Sequence, residues 1–79
     1  MAVYIEIERI ENSGGTALFR FSTTDGRSGV FRLDLSSGNT FLEEKLPGDE
    51  LGKLYARAAY KIRTIWRGGE LPEKACWAS

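Results

Sequence analysis

The apolar residues change period once along this chain, and the change dictates its architecture. Val3, Ile5 and Ile7 alternate with Tyr4, Glu6 and Glu8, and Ala17, Phe19 and Phe21 alternate with Leu18, Arg20 and Ser22. A period of two places one set of side chains on a buried face and the other in water, which is the signature of β-strands. After Leu46-Pro47-Gly48-Asp49 the apolar residues Leu51, Leu54, Tyr55, Ala58, Ile62, Ile65 and Trp66 recur at spacings of three and four. That spacing makes one stripe of an α-helix. The chain is therefore expected to be α+β: a sheet built first, then one helix laid across it.

Turn chemistry divides the strand half. Asn12-Ser13-Gly14-Gly15, Thr24-Asp25-Gly26-Arg27 and Ser36-Ser37-Gly38-Asn39 hold the Gly, Asn and Asp residues that tight hairpins require. Strands are expected at about 2–10, 16–23, 29–35 and 40–44, forming a four-stranded antiparallel β-meander. Phe31, Leu33 and Leu35 mark the inner face of the third, and Glu43, Glu44 and Lys45 guard the fourth as an edge strand. Asp49 is placed to cap a helix over about 50–67, which Gly68-Gly69 stops with Arg63 and Arg67 in its last turn. The helix packs on one face of the sheet. The tail, residues 68–79, ends in Trp77 and is expected to dock, because an indole is costly to leave in water.

With 79 residues the chain has room for one domain and little surface to spare for a cofactor cavity. It has no histidine and one cysteine, which removes Ser-His and Cys-His nucleophile pairs and thiolate or imidazole metal sites. Neither glycine pair is flanked by the residues of a phosphate-binding loop. No catalytic residue, metal site or cofactor is expected, and the chain is not expected to be an enzyme. Charge appears early, at Glu6, and no apolar run approaches the ~20 residues of a membrane span. A cytoplasmic location and no membrane partner are expected. Cys76 reads as a small buried hydrophobe beside Trp77.

Charge is segregated. Residues 1–50 carry nine acids and five bases, net −4, and residues 51–79 carry six bases and two acids, net +4, within a neutral whole. Two candidate surfaces follow. One is the sheet face that the helix leaves uncovered, with Tyr4, Glu6, Glu8, Arg20, Arg32, Asp34, Glu43 and Glu44 as candidate partner-binding residues and Leu18, Val30 and Leu42 as apolar company. Such a mixture of anchors and charges suits a non-obligate protein interface. Glu43 and Glu44, being sequential on a strand, should point to opposite faces. The other surface is the basic back of the helix: Lys53, Arg57 and Lys61 step by four, with Tyr60 and Arg67 nearby, and could meet nucleic acid. A sequence pI of about 6.2 weighs against a dedicated polyanion binder, so a protein partner is preferred over nucleic acid. A monomer or small homo-oligomer is expected.

The meander, the single capped helix and a tail reading Gly69-Glu70-Leu71-Pro72-Glu73-Lys74-Ala75-Cys76-Trp77-Ala78 together resemble, in layout, the small bacterial immunity proteins encoded beside polymorphic or contact-dependent toxins. The resemblance implies a protein that binds a cognate toxin domain and occludes its active site or partner surface. A basic, nuclease-like partner would be met by Glu6, Glu8, Asp34, Glu43 and Glu44, because opposite potentials speed encounter.

Overall fold

A computed structural model describes residues 3–78. Four strands follow in meander order: β1 (Tyr4–Ser13), β2 (Thr16–Thr23), β3 (Ser28–Asp34) and β4 (Thr40–Glu44). One helix, α1 (Lys53–Arg67), comes next, and the tail adds a fifth strand, β5 (Lys74–Ala78). The sheet is antiparallel in the order β4-β3-β2-β1-β5. The meander and helix of the sequence reading are thus present, and the docked tail extends the sheet from four strands to five. Its first strand becomes interior because the chain's last strand pairs beside it. Gly14 and Gly15, at φ 63° and 80°, turn β1 into β2. Two consecutive positive φ values give a hairpin turn whose twist matches its strands.

The chain leaves the sheet at one edge, β4, and re-enters at the other, β5, so α1 must cross the whole sheet. Ile5, Ile7, Ala17, Phe19, Phe21, Phe31 and Leu33 form the covered face, and Ala58, Ala59 and Ile62 are the buried helix residues against it. Two alanines in the contact let helix and sheet approach closely. Phe19 stacks on Phe31 at 5.5 Å, and Tyr55 packs on Phe21 and Phe31 at 6.2 and 5.9 Å. Each fully buried Phe contributes about 1.5–3 kcal/mol. At the β4 side Tyr55 Oη and Thr40 Oγ1 share a hydrogen bond of 2.8 Å. At the β5 side Tyr60 meets the Trp77 ring edge-on at 6.1 Å.

Three departures from the sequence pattern have local causes. The helix starts at Lys53 rather than near residue 50, because Gly52 sits at φ 69° and a tight turn closes with Gly52 N–H donating to Asp49 O. Leu51 falls in that turn and is 81% exposed, so it is no part of the buried stripe. A register shift after Arg9 skips Ile10, which is exposed, while Arg9 itself, opposite Phe19, follows the alternation of Ile5 and Ile7 onto the covered side. There Arg9 donates to Leu71 O at 2.7 Å through its guanidinium and to Glu73 O at 2.8 Å through its backbone N–H. These two bonds fasten the connection from α1 into β5.

Candidate functional site

Strand register settles which side chains share the uncovered face. Lys74, Glu8, Arg20, Val30 and Glu44 form one row across all five strands, and Leu18, Arg32 and Phe41 form the next. Cys76, Glu6, Ser22 and Ser28 make a third row, with Tyr4 beside Ala78 beyond it. The candidate residues Tyr4, Glu6, Glu8, Arg20, Arg32 and Asp34 are therefore brought onto one surface. Two ion pairs lie on it, Arg20 with Glu8 at 3.5 Å and Arg32 with Glu43 at 2.6 Å.

β4 does not follow simple alternation. A second register shift, opposite Val30 and Phe31, makes Glu43 an extra residue, so Phe41 and Glu44 face Arg32 and Val30 of the same side. The bulge overturns two expectations. Leu42 sits opposite Phe31, in the covered register, and Phe41 takes its place on the open face at 52% exposure. Glu43, reaching Arg32, and Glu44, opposite Val30, do not diverge to opposite faces. A bulge leaves no mark in a five-residue strand's sequence, so alternation alone does not place Phe41 on this face.

Between β2, β1 and β5 the face sinks into an open groove of about 400 Å³. Tyr4, Glu6 and Glu8 wall it on β1, Arg20 and Ser22 on β2, Lys74 and Cys76 on β5. The sequence points to neither Lys74 nor Cys76 as a site residue, and Cys76, expected as a buried hydrophobe beside Trp77, is exposed. The alternation of Ala75 and Trp77 was the one sequence sign that β5 is a strand. The charge of the Cys76 sulfur, then desolvation, Glu6 and a hydrogen bond to Cys76 raise the Tyr4 phenol above its ordinary 10.0. Tyr4 thus stays a neutral hydrogen-bonding ring at 43% exposure. Asp34 is committed to its turn: the Ser36 N–H and hydroxyl donate to its carboxylate at 2.9 and 2.8 Å. Those two bonds, with help from Ser37, hold its carboxyl below the ordinary 3.8. The face offers two exposed rings, a half-buried Leu18, an almost covered Val30 and two pairs of charges.

The helix side differs in kind. Lys53, Ala56, Tyr60, Thr64 and Arg67 form its most exposed line, with Arg57 and Lys61 half-buried on one flank and Arg63 on the other. Arg63 was expected only to complement the helix end; it belongs to the same basic surface. Among the described residues every base of the first fifty has an acidic partner: Arg9 with Glu73, Arg20 with Glu8, Arg27 with Asp25, Arg32 with Glu43, Lys45 with Glu50. Among the described residues no ion pair involves Lys53, Arg57, Lys61, Arg63 or Arg67. The described residues hold no group of three or more His, Cys, Asp or Glu placed for a metal, and no helix long and apolar enough to cross a membrane. Comparison with family models, curated proteins and solved structures returned no match.

Proposed function

We propose that this chain is a non-enzymatic protein-binding domain that acts in the cytoplasm, needs no cofactor, and seats the uncovered face of its sheet on another protein. The observation that carries the reading is the composition of that face. Phe41 stands exposed in the row of Leu18, next to the row of Val30, and Tyr4 stands exposed at the opposite corner beside Ala78, while between the two rings Glu8 pairs with Arg20 and Glu43 with Arg32. Exposed aromatic rings are the anchors that protein interfaces use, and charges that pair within the face cost less to bury than lone ones. Glu6 and Glu44 on the same face carry no ion pair among the described residues, which favours a partner presenting bases.

Within that class, the layout resemblance noted above makes an immunity-type inhibitor of a cognate bacterial toxin our specific reading. Such a protein works by occlusion, so it needs one well-shaped face and no reactive group. The test is co-expression with the toxin-like product of the neighbouring reading frame, followed by binding measurements on purified proteins. Tyr4→Ala and Phe41→Ala should each weaken the complex at least tenfold, about 1.4 kcal/mol, and restore toxicity. Lys53→Gln should leave it intact. Wild-type affinity in both face variants would end the reading.

A further inference from the structure

We propose that the outer surface of α1 is a docking site for duplex DNA, held through its phosphates with the helix lying along the major groove. The inference starts from an imbalance of charge along one helix. α1 carries five bases and no acid over fifteen residues, and among the described residues none of the five finds an acidic partner, whereas all five bases of residues 1–50 do. Lys53 and Arg57, Arg57 and Lys61, Arg63 and Arg67 are each four apart, so like charges face each other on adjacent turns and weaken the helix. A polyanion relieves that repulsion.

Geometry selects the occupant. At a rise of 1.5 Å and a turn of 100° per residue, the five bases span about 21 Å of helix within an arc of roughly 160°. The centre of the arc is Ala56, Tyr60 and Thr64, all exposed and uncharged. Arg57 and Lys61 flank it on one side, Arg63 on the other, and Lys53 and Arg67 close the ends. A neutral ridge between two charged flanks matches a groove floor between two phosphate strands. A helix with its side chains is about 10–12 Å across, and the major groove is about 12 Å wide. The chain's zero net charge gives little long-range attraction, so binding should be weak and steep in salt.

Fluorescence anisotropy with a labelled duplex of about 20 base pairs, from 20 to 200 mM NaCl, tests this. Five phosphate contacts predict a slope of log K against log salt of up to about −4.5. Arg57→Gln and Lys61→Gln, which keep good helix propensity, should each flatten the slope by about 0.9. Tyr4→Ala should leave binding unchanged, so failure here and failure of the sheet-face reading are distinguishable. Circular dichroism confirms that each variant is folded. Absence of binding at 20 mM NaCl, an unchanged slope in both variants, tighter binding of a single strand, or equal competition by poly-glutamate of the same charge would each overturn the proposal.

Discussion

Two aspartates show how much one side chain organises. Asp49, 8% exposed, accepts the Leu54 N–H on one carboxylate oxygen and the Tyr55 N–H on the other, both at 3.1 Å. It thereby satisfies two of the free amides at the start of α1 across the intervening turn. The capping role was legible, since Asp follows Pro-Gly just before the helical period begins. The offset of the helix was not, because it depends on Gly52 taking φ 69°. Asp49→Ala should cost about 1–2 kcal/mol in urea unfolding, and Asp49→Asn, which keeps one acceptor, about half that. Asp34 acts on pH. Its carboxyl is held below 3.8 by Ser36, so the charged form is favoured by the fold. A lowered carboxyl contributes stability that is complete above the unfolded value and lost as pH falls through the folded one. The melting temperature should therefore hold from pH 7 to 5 and decline below 3.8, and Asp34→Asn should make that decline shallower.

At the scale of elements, β2 and β3 were readable because alternation and turn signals agree within a few residues of each other. β5 was not, because Lys-Ala-Cys-Trp-Ala is short, poor in β-branched residues and becomes a strand only through pairing with β1, seventy residues earlier in the chain. The open face was half-readable for the same reason. Its β1, β2 and β3 members follow from parity, whereas Phe41, Lys74 and Cys76 depend on a bulge and a distant pairing. That bulge needs Gly29. A Cβ there would lie 2.7 Å from Glu44 O and 2.7 Å from the Phe21 ring, between a backbone carbonyl and a buried side chain that cannot both retreat. Gly29→Ala should cost about 1–3 kcal/mol and act first on β4. Hydrogen exchange reads this directly: β4 amides should lose protection before those of β1 and β2. Uniform loss across the sheet would mean that β4 is not separately held.

For the whole molecule, the separation of charge in sequence becomes a separation in space that side-chain pairing sharpens. The first fifty residues pair their bases, Lys74 of β5 has no ion pair among the described residues, and α1 on the far layer keeps all five of its own without one. A surface shaped by stability alone would intersperse acids along that helix, since opposite charges four apart each contribute about 0.2–0.5 kcal/mol and like charges cost as much. Arg57 sits in two such like-charged relations, with Lys53 and with Lys61. Arg57→Glu converts both into attractions and places an acid four residues before Lys61, the favourable orientation. It should raise stability by about 1 kcal/mol in urea at 20 mM salt, and the gain should shrink at 500 mM, where screening acts over a few ångströms. The same change should abolish duplex binding. A variant that gains stability while losing that binding would show that the helix holds its charge for a ligand and at the expense of the fold. A variant destabilised at low salt would show instead that the Arg57 stem packs against its neighbours and that repulsion along α1 is already relieved by water.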